Sequence, residues 1–360
     1  MRIKSISPSI ITVQFKSTFR HSRKSRGLSK NIFTKCLLED GTCGYGEGIP
    51  REYVTGETPG SSIIAVKSLA RSFQGKDFSS MRQIVRFLSD MRVRKNQLAS
   101  MCSIELALLD AYGKHFKVPI SDVIGLKREY VRYSAVISAD SIEKLSKLCW
   151  LIRLFGIKDV KLKVGLPNDA ERLEFIRRKL GKDINLRVDA NRAWTLNGYL
   201  SMSEVLQKYS VSAIEDPLKD MSIRNLKKAK KLVHIPIIVD EVLCTIKEAK
   251  QLANARACDY FNIRLSKCGG LLNSFKIHKV GKRAGIKSIL GAHVGETGIL
   301  SSAGRHFALS VPDLAYVEGS YDRFLLKENT IKGNVGFGFG GKGKRIKGYG
   351  LGIVIRDKFR

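Results

Sequence analysis

Residues 159–165 read DVKLKVG, an apolar run that carries Lys161 and Lys163 two positions apart and therefore on one face of a strand. Similar runs follow it: INLRVD ending at 189, VSAIE at 215, IPIIVD at 240 and DYFNIR at 264. From 163 onward the endpoints are separated by 26, 26, 25 and 24 residues. Between them lie segments of helical period, DAERLEFIRRKL (169–180), LNGYLSMSEVLQKYS (196–210), TIKEAKQLANA (245–255) and GLLNSFKIHKVGKRAG (270–285). Short strand then helix, repeated, is the βα unit of a parallel sheet. Adding YVRYSAVIS (130–138) before, and KSILGAHVG (287–295) and AYVEG (315–319) after, gives eight strands, the number that closes a barrel.

The expected fold is thus α/β, a (β/α)8-type barrel over residues 126–324. Its last helix is missing or altered, because no helical period follows the eighth strand. Residues 1–125 read differently, as antiparallel strands (RIKSISPSIITVQF, NIFTKCLLEDG) followed by helices. We expect an α+β capping domain there, completed by the Gly-rich tail at about 325–360.

Composition fits a soluble globular chain of 360 residues with 43% hydrophobic content. No signal peptide or membrane span is evident, and seven scattered cysteines without a C-x-x-C pair suggest free thiols and a cytoplasmic setting. The formal charge of +31 invites a nucleic-acid or polyanion reading. The basic residues are nevertheless spread through helical stretches such as NLKKAKKL (225–232), with no zinc-finger or RNA-binding signature, so a solvated basic surface is expected instead.

In such a barrel the active site lies at the C-terminal ends of the strands. Asp189, Glu215 and Asp240 end three consecutive strands. Carboxylates so close repel unless a cation lies between them, and a hard divalent ion with oxygen ligands, Mg2+ before Mn2+, relieves the repulsion. Three separately salt-bridged acids are the competing reading. Lys161 and Lys163 share a face, and each ammonium, together with the metal, disfavours protonation of the other, which suits a lysine general base.

The ordered set VKLKVG, RVDANRAW, IEDP, VDE and SKCGG resembles the enolase superfamily in its mandelate racemase/muconate lactonizing enzyme branch. CGYGEGIPREYVTGET (43–58) and IELALLDAYGK (104–114) are similar to that branch's capping domain, and GYGLGIVI to its C-terminal segment. The resemblance implies that Asp189, Glu215 and Asp240 bind Mg2+, that Lys163 is the acid/base and Lys161 its electrostatic partner, and that Asn191 and Glu241 support them. It also implies removal of the proton alpha to a carboxylate, the resulting enolate being stabilised by the metal.

Relatives with two opposed lysines carry the second where this chain has Arg264, a guanidinium that makes a poor base. Lys267, three residues on, is the alternative second base. The seventh strand ends near His293, a candidate proton donor, and Glu296, a candidate acid or hydrogen-bond acceptor. The eighth ends in VEGSYDR, not the Asp-x-Asp by which dipeptide epimerases hold a substrate ammonium. Substrate choice is expected from two capping loops, the first with Arg20, His21, Arg23, Lys24 and Arg26, the second with Tyr53 and Thr55. Together these readings place a lyase or cycloisomerase slightly ahead of a racemase or epimerase of an amino-acid derivative or dipeptide. A non-catalytic polyanion or nucleic-acid binding protein is the reading of another class. The expected partner is a small carboxylate, with no membrane or nucleic acid, and a homo-oligomer is expected.

Overall fold

The computed structural model describes residues 1–21, 24–139 and 141–360, and of residues 18–21 and 24–26 it describes the backbone alone. The chain opens with three antiparallel strands, β1 (Ile3–His21), β2 (Lys24–Leu38) and β3 (Cys43–Gly48), in the order β1-β2-β3. Five helices follow: α1 (Glu52–Thr55), α2 (Pro59–Ala70), α3 (Met81–Asp90), α4 (Leu98–His115) and α5 (Ile120–Ile124). Helix α4 is buried almost throughout. The alternate glycines of CGYGEG explain how it packs: a Cβ on Gly46 would sit 1.9 Å from the Ser103 carbonyl oxygen, so β3 lies directly on the helix backbone.

The stretch read as one strand at 130–138 is two, β4 (Tyr130–Arg132) and β5 (Ala135–Ile137). From β5 the βα repeat runs through α6 (Ile142–Leu154), β6 (Asp159–Lys163), α7 (Asp169–Leu180), β7 (Asn185–Asp189), α8 (Leu196–Lys208), β8 (Ala213–Glu215) and α9 (Ile223–Leu232). It continues with β9 (Ile237–Val239), α10 (Ile246–Asn254), β10 (Tyr260–Ile263), α11 (Leu271–Arg283), β11 (Lys287–Leu290), α12 (Gly298–Ser310) and β12 (Leu314–Val317). The eight parallel strands β5 to β12 are hydrogen-bonded in chain order. A bond from the Ser134 amide to the Val317 carbonyl, 2.8 Å, joins the two ends of the sheet beside β5. The altered last helix is a single turn, α13 (Asp322–Leu325).

Several helices begin on a side-chain cap six or seven residues after a strand end: Thr195, Ser222, Thr245 and Thr297 each accept a bond from the first turn. Such caps fix where each loop at the barrel mouth ends. The tail adds β13 (Ile331–Lys332), β14 (Lys342–Lys344) and β15 (Val354–Ile355), with β13 paired to β15 and β14 to β4. It also meets α4, where the Leu351 amide donates to Asp110. Inside the barrel Ala213, Ile238 and Ile289 pack with Tyr260 and Tyr316 as an apolar plug. Polar and charged side chains fill the layer toward the strand ends.

Candidate active site

Strand register explains that charged layer. Lys163 lies opposite Asp189, and Asp189 opposite Glu215, so three charged side chains stand abreast on adjoining strands. Glu215 pairs with Ile238, and Asp240, two residues further, falls on the same face. All three carboxylates are buried. In this structure their counter-charges are side chains. Lys163 Nζ lies 2.7 Å from Asp189 Oδ2 and 2.8 Å from Asn191 Oδ1. Lys161 Nζ lies 3.0 Å from Glu215 Oε2 and 2.7 Å from Glu318 Oε2. Arg264 contacts Asp240 and stands 3.6 Å from Glu215.

Both lysines of DVKLKVG line one cavity, as do Asn191, Glu241, Arg264, His293 and Glu296. Because β6 and β10 are four strands apart in an eight-stranded ring, Lys163 and Arg264 face each other across it. Lys267 is not among the lining residues. Its Nζ donates to the carbonyls of Leu243 (2.5 Å) and Asn262 (3.0 Å) and stands 3.5 Å behind Asp240. Lys267 as second base is therefore corrected: it braces the β9 and β10 ends, and Arg264 faces the site.

At Lys161 the nearest charges are carboxylates rather than the second ammonium. Burial pulls its pKa down, but Glu215, Glu318 and Asp189 outweigh burial and raise it, so Lys161 is a fixed charge. Asp189, which burial would raise, is held at about 2 by Lys163 and Lys161. Glu215 goes the other way, pushed up to about 7 by burial, with Asp189 and Asp240 adding to it against Lys161.

These groups suit a hard divalent cation. Neither buried Asp240 oxygen accepts a hydrogen bond, and Glu215 is crowded by like charges. Among the described residues the carboxylates whose oxygens converge within 4.8 Å are Asp216, Asp240 and Glu241. Asp189 and Glu215 are instead turned onto the lysines. The fit of Asp189, Glu215 and Asp240 to one ion thus rests on their shared face and on the Asp240 oxygens, which meet the charges of Arg264 and Lys267 but accept no hydrogen bond.

The other sequence candidates divide. Asn191 is bound to Lys163, and its amide donates to Asp189 Oδ1 at 3.0 Å. Glu241 lies 3.2 Å from Arg192. Tyr53 lines the cavity, whereas Thr55 is buried with its hydroxyl directed at the Arg51 carbonyl, so its place at the substrate is corrected. Arg23 lies outside the described residues, as do the side chains of Arg20, His21, Lys24 and Arg26. His293 Nδ1 is 3.8 Å from Glu296 Oε1, which accepts the His293 amide at 2.7 Å. Burial pushes Glu296 up to about 8.

Sequence reasoning missed the residues that hold these in place. Glu318, at the end of β12, bonds Lys161 and Arg187. Asp216 has φ of +41° and accepts the amides of Asp240 and Glu241, orienting that segment. Glu47 on β3 accepts bonds from the Thr297 hydroxyl and the Leu300 amide, while Asn31 donates to the Gly295 carbonyl. The N-terminal sheet thereby clamps the loop carrying His293 and Glu296. The signal available was the polar residue inside an apolar run: Arg187 in INLRVD and Glu47 in CGYGEG each require a buried partner.

Comparison with known proteins agrees with this geometry. Residues 149–359 match the family model "Enolase C-terminal domain-like", and residues 8–125 match "Mandelate racemase / muconate lactonizing enzyme, N-terminal domain". The L-Ala-D/L-Glu epimerase of Clostridium acetobutylicum is 29% identical over 296 residues, 81% of this chain and 82% of its own. The crystal structure of N-succinyl Arg/Lys racemase from Bacillus cereus superposes with a TM-score of 0.89 at 26% identity, covering 100% of this chain and 97% of that one. The dipeptide epimerase of Enterococcus faecalis, solved with Mg and L-Leu-L-Tyr, gives 0.88 at 25% identity and covers 98% and 100%. A chloromuconate cycloisomerase also matches, but epimerases and racemases predominate, which reverses the order that Arg264 suggested. The chain belongs to the mandelate racemase/muconate lactonizing enzyme family of the enolase superfamily.

Proposed function

We propose that this chain is a Mg2+-dependent racemase or epimerase of an amino-acid derivative, working by removal and return of the proton alpha to a carboxylate. The observation that carries the reading is one cavity with Lys163 on one side and Glu296 and Arg264 toward the other, above a row of buried carboxylates. Asp189, Glu215 and Asp240 would hold the ion, which when bound supplies positive charge against the substrate carboxylate and lowers the cost of the enolate. Lys163 exchanges the proton on its own face. Lys161, fixed in charge by Glu215 and Glu318, favours the anionic enolate from beneath. Arg264 stays protonated and acts by charge alone. The opposite face then needs another proton carrier, and Glu296, buried and raised to about 8, holds a proton at neutral pH. His293 positions it. Residues 1–125 with the tail would act as a cap and residues 126–324 as the barrel.

The test is hydrogen exchange in heavy water with each enantiomer of a substrate, followed by NMR. Lys163→Ala should abolish exchange of one enantiomer and Glu296→Gln exchange of the other. If Glu296→Gln leaves both intact, the second carrier lies elsewhere. A one-face lyase or cycloisomerase is the second reading, favoured by Arg264 standing where a second lysine would act. Exchange of one enantiomer only, in the unmodified protein, would establish it.

A further inference from the structure

The cavity, about 490 Å3, has two unlike ends. The charged groups gather at one. The other is formed by Leu148 and Leu151 of α6 with Phe155 at its C-cap, Phe324 of α13 and Phe337 of the tail. Leu148, Leu151 and Phe155 fall at i, i+3 and i+7, one stripe of the helix. Phe324 stands 5.6 Å from Phe337 and 6.3 Å from Phe155, ring centre to ring centre, so an aromatic wall faces the helix stripe. These side chains are half-buried or exposed, leaving apolar surface turned to the cavity.

The acids of the cavity, among the described residues, are already engaged. Glu318 binds Arg187 and Lys161, Asp322 binds Ser301 and Asn329, Glu241 binds Arg192, and Glu296 accepts the His293 amide. A substrate ammonium placed against the apolar end would lose its hydration without gaining a carboxylate. An uncharged apolar group would lose nothing there.

We propose that the substrate is an alpha-amino acid whose nitrogen carries an uncharged, bulky apolar acyl group, and that this group lies against Leu151, Phe155, Phe324 and Phe337. The proposal rests on the alpha-proton chemistry above. Alanine would be supplied, with Mg2+, as its N-acetyl, N-hexanoyl, N-phenylacetyl and N-succinyl derivatives and as the free dipeptide alanyl-alanine, and alpha exchange read by NMR in heavy water. The N-phenylacetyl compound should exceed the N-acetyl compound in kcat/KM by about tenfold or more. Leu151→Arg and Phe337→Ala should each cut that ratio severalfold, and a ratio taken within one preparation is insensitive to partial misfolding. Equal rates for acetyl and phenylacetyl, or a preference for the succinyl compound or the dipeptide, would overturn the assignment and leave the chemistry standing. Calorimetry with Lys163→Ala separates the two claims: N-phenylacetyl-alanine should bind it more tightly than N-acetyl-alanine. Such binding without exchange in the unmodified protein would keep the subsite and sink the chemistry, and neither binding nor exchange would sink both.

Discussion

Glu318→Gln probes the buried charge layer. Glu318 stands 2.9 Å from Arg187 and 2.7 Å from Lys161, and Lys161 is also 3.0 Å from Glu215. Arg187 is 0% and Lys161 2% exposed. The two cations are thus met chiefly by Glu318 and Glu215, with Asp189 3.9 Å from Lys161. The amide preserves volume and one acceptor but removes the one carboxylate that bonds both cations. Neutralising one partner of a buried pair costs about 3–5 kcal/mol, a fall of roughly a hundredfold to a few thousandfold in the folding equilibrium. The lower end is expected, because Arg187 also sits 4.0 Å over the Tyr316 ring, which offsets part of the loss. Urea unfolding of the metal-free protein should read the change, with an unaltered m value. Adding Lys161→Met restores the balance of charge and should recover at least half of it. A loss below about 1 kcal/mol, or no recovery in the double variant, would refute the view that this layer is held by matched charge.

Titration calorimetry should show one Mg2+ bound, and Glu215→Gln should weaken it by about a hundredfold, since the amide carries no charge for a hard cation; unchanged affinity in Asp189→Asn, Glu215→Gln and Asp240→Asn alike would remove the ion from this row. Glu105 is pushed from 4.5 to about 8 by burial against the amides of Leu271 and Leu272. The folded chain therefore holds a proton that the unfolded chain has released, and stability should fall as pH rises from about 4.5 to about 8. Glu105→Gln should flatten that slope in urea titrations, and an unchanged slope would place the proton elsewhere.

Much of the barrel was legible because its repeat is local. DAERLEFIRRKL ends where α7 ends, and the acids named at 189 and 215 are the last residues of their strands. The first barrel strand was misread because its break is set from far away: the Tyr133 amide bonds the Gly341 carbonyl and the next residue bonds Val317. No period within 130–138 contains that information. Glu318 was visible as a strand end, but its pairing with Arg187 on the third strand depends on the ring closing between the first strand and the eighth. The glycine pair of SKCGG has a similarly distant cause, since a Cβ on Gly270 would meet Glu105 Oε1 at 2.4 Å.

The choice between Arg264 and Lys267 was the hardest to read, and the turn after β10 decides it. The Cys268 amide bonds the Arg264 carbonyl and the Gly270 amide bonds Leu265, so the chain coils back at once and carries Lys267 behind Asp240. A racemase built this way is asymmetric, with an amine on one face and a carboxyl on the other. Because enantiomers are equally stable, racemisation must have the same kcat/KM in both directions at every pH. Exchange without inversion is under no such constraint. Glu296 can abstract a proton only as the carboxylate, so exchange on its face should climb about tenfold per pH unit and level off near pH 8, where its carboxyl titrates. With each enantiomer measured separately by NMR from pH 5 to 9, a Glu296-face rate without this climb and plateau, or one that keeps them in Glu296→Gln, would show that Glu296 is not the second proton carrier.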